Sequence, residues 1–153
     1  MGRARSETAV DLSPAEAFDL WTDVSRWPTF VDGFGHVERV DDDWPAPGAK
    51  VVWRSGPSGR GLVTERVRGA ERGEVFVTDV IEERLTGSQT VAFFAGPPGE
   101  SYALMSIELD YTVQAGGPLR PIMDFLFINR AQRDALARTL RRFRTEAAEQ
   151  AAL

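Results

Sequence analysis

Apolar positions recur every three or four residues across 121–149, where Ile122, Leu126, Leu136, Leu140, Phe143 and Ala147 share one narrow sector at about 100° per residue. This periodicity predicts a single long helix with one buried stripe. At about 1.5 Å per residue it spans roughly 43 Å, so something broad must lie beneath it, and a curved sheet fits. Upstream the period changes to two. The clearest case is 101–114, where Ala103, Met105, Ile107, Leu109, Tyr111 and Val113 alternate with Ser106, Glu108, Asp110, Thr112 and Gln114. One face of that strand is wet and the other is covered.

In chain order, 7–12 predicts a short strand that runs into Ser13-Pro14-Ala15-Glu16, a helix start. Ser13 is the N-cap, Pro14 takes the first helical position and Glu16 completes a capping box. That helix ends near Asp23, and a second short one is expected over 27–32. Strands follow at 36–41, 50–55, 62–68, 74–85, 89–95 and 101–114. Their turns are set at glycine and proline clusters, among them Gly56-Pro57-Ser58-Gly59, Arg72-Gly73 and Thr86-Gly87-Ser88. Gly116-Gly117-Pro118 then ends the sheet. One strand, two short helices, six antiparallel strands and a long helix make an α+β domain with its helices on one face of a bent sheet.

The long helix's stripe is interrupted by Asn129 and Arg133. A buried guanidinium is costly unless it meets a carboxylate, a solvated cavity or a polar ligand group. Carrying the odd-numbered face of the last strand across the sheet puts Trp53, Glu65, Val75, Val77, Asp79, Ile81, Phe93, Met105, Ile107 and Tyr111 on the concave side. A single bulge would invert a strand in that register. Candidate ligand contacts are therefore Trp53, Glu65, Asp79, Phe93, Met105, Ile107 and Tyr111 from the sheet, with Leu126, Asn129 and Arg133 from the helix. Two readings compete for the charged residues. Glu65 and Asp79 could pair with Arg133 as a structural network, or leave it free to hold a ligand carboxylate or phenolate. A catalytic version uses Arg133 or Tyr111 to polarise a carbonyl and Glu65 or Asp79 to remove the adjacent proton, as an aldol cyclisation requires.

Composition narrows the alternatives. The absence of cysteine excludes disulfides, thiolate metal sites and a cysteine nucleophile. A net charge of −5 argues against nucleic acid as a partner, and the Arg138, Arg141, Arg142 and Arg144 cluster reads as a solvated helix edge. No stretch has the roughly 20 apolar residues of a membrane span and the N-terminus lacks a secretory core, so a cytoplasmic protein without stable membrane insertion is expected. No composition shift marks a linker, and 1–153 reads as one domain. The lone His36 cannot build a multi-histidine metal site, and Asp41 to Asp43 lack the ligand spacing of a calcium loop. No cofactor is expected, because no phosphate-cradling loop or nucleophile elbow is present. The apolar block 121–128 is hydrophobic nearly all round, so part of it must meet another element, a second copy in a homodimer, or a ligand portal.

The run from Ser13 to Trp21, followed by Asp23-Val24-Ser25-Arg26-Trp27-Pro28-Thr29-Phe30-Val31, resembles the opening of the START-like, or Bet v 1-like (SRPBCC), helix-grip superfamily, in its bacterial polyketide cyclase/dehydrase branch. Pro47-Gly48-Ala49 with Val51-Val52-Trp53, and Gly117-Pro118-Leu119 leading into the Arg-rich helix, resemble the same branch. The resemblance implies a seven-stranded sheet gripping the C-terminal helix, with a hydrophobic cavity between them. Members hold lipids, polyketides or other apolar molecules there, and a minority act on them. No family-wide catalytic motif carries over. Three functions follow as expectations: a carrier or sensor of a small hydrophobic molecule, a polyketide cyclase or dehydratase-like enzyme, or an interaction module with a filled cavity and Phe125 or Phe127 exposed.

Overall fold

The structure, a computed structural model, describes residues 1–57, 59–114 and 121–153, with backbone only for 121–126. Its elements are β1 (Gly2–Val10), α1 (Pro14–Thr22), a 3₁₀ turn (Val24–Arg26), α2 (Trp27–Phe30), β2 (Phe34–Val40), β3 (Lys50–Ser55), β4 (Leu62–Glu71), β5 (Val75–Ile81), β6 (Leu85–Ala95), β7 (Ala103–Val113) and α3 (Pro121–Ala151). The expected Gly116-Gly117-Pro118 break and the side chains of Ile122, Phe125 and Leu126 lie outside the described residues.

The seven strands form one antiparallel sheet in the order β1-β7-β6-β5-β4-β3-β2. The segment carrying α1 and α2 crosses from the β1 edge to the β2 edge, so the short helices cover one face. The helix-grip architecture expected from the sequence is therefore present. α1 starts as its capping box dictates: Ser13 Oγ accepts from the Glu16 amide at 3.2 Å and Glu16 Oε1 accepts from the Ser13 amide at 3.1 Å. The long helix α3 lies against β1 and α2, burying Leu136, Leu140, Phe143 and Ala147.

Three local expectations are corrected. First, β1 begins at Gly2 rather than at residue 7 and pairs with β7 along its whole length. Ser6 and Thr8 share the inward face with Ala4 and Val10, which blurs the alternation that would have marked the strand.

Second, Thr86-Gly87-Ser88 is not a turn. These residues lie inside β6, and the chain reverses at Glu82, whose amide donates to the Leu85 carbonyl at 3.0 Å. Gly87 stands opposite Tyr111, where a side chain would collide with the Asp110 carbonyl and lie 3.0 Å from Tyr111 Cα. The glycine answers to close strand approach rather than to a bend.

Third, the faces of β5 are inverted. The β4–β5 hairpin starts in a register that matches odd positions with odd ones, Glu71 with Val75, but a bulge between Val67 and Gly69 slips the pairing by one residue. Beyond it Glu65 pairs with Val80, and Phe76, Thr78 and Val80 turn inward. Val75, Val77, Asp79 and Ile81 are not the inward set, and Ile81 is exposed.

Candidate functional site

Between the sheet, the short helices and α3 lies a hollow of about 40 Å³. The cavity expected from the sequence is there but small, with room for a few water molecules at roughly 10–15 Å³ each. Its walls carry the indoles of Trp21, Trp27 and Trp53 with Ile107, Leu109 and Leu136. Its polar lining is Glu65, Arg60, Gln89, Asp32, Gln132 and Thr139.

Glu65 is the centre of this lining. It points inward from the middle of β4 and is 7% exposed. Trp53, two residues along on the neighbouring β3, donates its indole N–H to Glu65 Oε2 at 2.9 Å. Thr78, the diagonal neighbour on β5, donates its hydroxyl to Oε1 at 3.2 Å. Both donors are neutral. Burial therefore dominates and pushes the Glu65 carboxyl above its ordinary value, while the Arg60 charge and the two hydrogen bonds oppose that rise and the Glu82 charge adds to it.

The Arg60 guanidinium lies 5.1 Å over the Trp53 ring and is ion-paired to the buried Glu82. Its position comes from the loop between β3 and β4. Ser55 accepts the Gly61 amide on its Oγ at 2.8 Å and donates its own amide to the Gly61 carbonyl at 2.9 Å. Gly61 holds the left-handed conformation that this closure requires, at φ +74°. Glu82 continues the inward face of β5 that the bulge creates.

On the other side, Asp32 just after α2 is clamped to α3. Its carboxylate accepts from Arg138 Nε at 3.0 Å and a second guanidinium nitrogen at 3.1 Å, and Arg142 approaches to 3.3 Å. Its amide donates to Thr139 Oγ1 at 3.0 Å.

Of the ten candidate contacts, Trp53, Glu65 and Ile107 line the hollow. Phe93 and Met105 are a buried cross-strand pair away from it, Phe93 packing edge-on to Phe18 at 5.7 Å. Tyr111 is buried nearer the β1 edge, where Asn129 donates to its hydroxyl at 2.8 Å and to the Arg3 carbonyl at 3.1 Å, tying α3 to two strands. Leu126 lies among the side chains outside the description.

Asp79 and Arg133 are corrections. Asp79 is on the outer face, ion-paired to Arg68, because the bulge reversed β5. Arg133 is exposed, because the part of α3 that faces the hollow at this level is Gln132, Ala135, Leu136 and Thr139, turned about the axis from Arg133. Neither Glu65 nor Asp79 pairs with Arg133.

Sequence reasoning missed Arg60, Glu82, Thr78 and Gln89. Thr78 and Glu82 follow from the bulge, whereas Gln89 lies on the odd-numbered inward face already expected of 89–95 and was not singled out. Arg60 sits between two glycines in a loop, where no periodicity reports direction.

Glu65 also makes the pH dependence of stability predictable. The folded state holds its proton more tightly than the unfolded chain does. The stabilisation linked to that proton is complete below the unfolded pKa and disappears as pH rises through the folded one. Wild type should therefore lose stability relative to Glu65→Gln over that window, in urea midpoints compared from about pH 4 to pH 8. A pH-independent gap between the two proteins would contradict this account of Glu65.

Among the described residues no group of three or more His, Asp or Glu is arranged for a metal ion, and no helix is long and apolar enough to cross a membrane.

The chain's likenesses fit this architecture. No curated protein sequence matches it. Among solved structures it is similar to a START superfamily protein from Mycobacterium smegmatis, at TM-score 0.76 and 10% identity, covering 98% of this chain and 99% of that one. The protein XoxI from Bacillus cereus matches at 0.72 and 12%, covering 98% of each chain. Norcoclaurine synthase from Thalictrum flavum, in complex with dopamine and hydroxybenzaldehyde, matches at 0.68 and 14%, covering 96% of this chain and 86% of that one. At these identities the likeness establishes the fold. The family model described as polyketide cyclase / dehydrase and lipid transport matches residues 1–148, nearly the whole chain, and the chain belongs to that family.

Proposed function

We propose that this protein binds a small, largely apolar molecule between its sheet and α3, without turning it over. The observation that carries the reading is the indole-walled hollow with one buried carboxyl group, set where the fold's two halves meet. Family membership supports it. The cyclase alternative asks for Arg133 or Tyr111 beside Glu65 or Asp79 around one space, and of these only Glu65 lines the hollow. Binding is therefore favoured over catalysis.

A volume of about 40 Å³ holds no whole ligand, so binding requires widening. The seam that opens is the one between Asp32 and α3. Beside Asp32 it is closed by ion pairs at half-exposed guanidinium groups, which solvent weakens, while the buried Phe30–Phe143 contact keeps α2 on α3 further along.

The test is stopped-flow titration with N-phenyl-1-naphthylamine, a neutral probe that fluoresces when removed from water. Saturable binding at one site per chain is expected, and Asp32→Ala should speed both association and release several-fold while moving Kd little. Absence of saturable binding to either protein would overturn the proposal. It would favour a second reading, an interaction module, for which the small hollow and the 70% exposed Phe127 speak.

A further inference from the structure

Resting on the binding reading, we infer that the ligand carries a primary ammonium group and that this group seats against Glu65, among the three tryptophans. The charges around the hollow do not balance. The ionised side chains acting on Glu65 are Arg60 from the β3–β4 loop and Glu82 after β5, and Asp32 after α2 shares the lining. Arg60 is ion-paired to Glu82, and Asp32 to Arg138 and Arg142 of α3. Of these carboxylates Glu65 alone has no cation within ion-pair distance among the described residues, only the Trp53 and Thr78 donors. A carboxylate kept from water and unmatched in charge is an unfavourable arrangement, and a ligand that brings one positive charge removes the imbalance.

Size agrees with this. An ammonium group is close to water in size, so the hollow of about 40 Å³ accommodates it even before it widens. Indole is the aromatic surface that attracts a cation most strongly, and three of them, Trp21, Trp27 and Trp53, line the space. An ammonium there meets a carboxylate within an indole-lined wall, with its apolar tail directed to the seam beside Asp32 that opens on binding. The repulsion from Arg60 is offset by Glu82, whose carboxylate lies on the guanidinium.

A matched probe series tests this: hexylamine, 1-hexanol and 2-hexanone, followed by calorimetry and by tryptophan emission at neutral pH. Hexylamine should bind at least tenfold more tightly than hexanol, and Glu65→Gln should reduce it to the level of the alcohol. In wild type the preference should fade as pH drops and Glu65 takes up its proton. Equal binding of amine and alcohol overturns the inference while leaving apolar binding intact. Tighter binding of hexanone than of hexylamine also overturns it, because Glu65 would then act as a neutral donor to a carbonyl. If none of the three binds and the naphthylamine probe fails as well, the binding proposal falls with it. The comparison within wild type keeps the test decisive even if Glu65→Gln does not fold.

Discussion

Trp53→Ala should destabilise the protein by about 3–5 kcal/mol, the usual cost of truncating a buried aromatic side chain. The ring is fully buried, stacks on Phe34 at 5.3 Å and 26°, and meets the edge of Trp27 at 6.4 Å. Removing it leaves a void under Arg60 and takes a donor from the Glu65 carboxyl. These two losses can be separated. Trp53→Phe keeps one six-membered ring but gives up three heavy atoms of the indole, the N–H among them, so it should cost about 1–3 kcal/mol for the unmatched buried acceptor together with a small void, less than Trp53→Ala. That smaller cost should shrink at acidic pH, where a protonated Glu65 needs the donor less. Urea unfolding of both variants at two pH values measures all of this. If Trp53→Phe were as damaging as Trp53→Ala, or had no effect, the hydrogen bond would not have the role assigned to it.

Phe143→Ala should have an effect of similar size, about 3–5 kcal/mol, but a different distribution. Phe143 is fully buried on α3, with its ring perpendicular to Phe30 at 4.9 Å and edge-on to Trp21 at 5.4 Å, while Phe30 and Trp21 stack on each other. This cluster joins α1, α2 and α3. Without it the short helices keep polar ties to α3, Arg26 to Glu146 and Asp32 to Arg138 and Arg142, which are individually weak. Amide exchange in α1, α2 and the second half of α3 should therefore accelerate more than in β6 and β7. A loss below about 1 kcal/mol, or equal acceleration everywhere, would show that the cluster does not join these elements as described.

How much of this was legible depended on whether a signal was local. The capping box at Ser13 and Glu16, the period-two run of β7 and the stripe of Leu136, Leu140 and Phe143 are each written in neighbouring residues, and each stands where the sequence placed it. The inward faces of β3, β4 up to Val67, β6 and β7 also followed the expected parity. The failures arise where direction is set by a partner. Val67 and Gly69 reveal their bulge only when β5 is laid beside them, so Asp79 was placed inside and Thr78 outside. Gly87 looked like a turn because the approach of Tyr111 that requires a glycine lies 24 residues further along the chain. Arg133 occupies a sector shared with buried residues, yet the broad body it was expected to face is offset toward Gln132 and Thr139. Trp53 and Glu65 were found because both obey simple alternation. Arg60, which obeys none, was not.

The slip between Val67 and Gly69 means that the chemistry of the interior is governed by chain length as well as by residue identity. Were the two strands matched without the extra residue, the same amino acids would send an aspartate and an isoleucine inward while the threonine and the second glutamate faced the solvent. Relatives that differ here by one inserted or deleted residue can thus acquire a chamber of different polarity with every side chain unchanged, and a comparison that aligns letters without counting them would miss the difference.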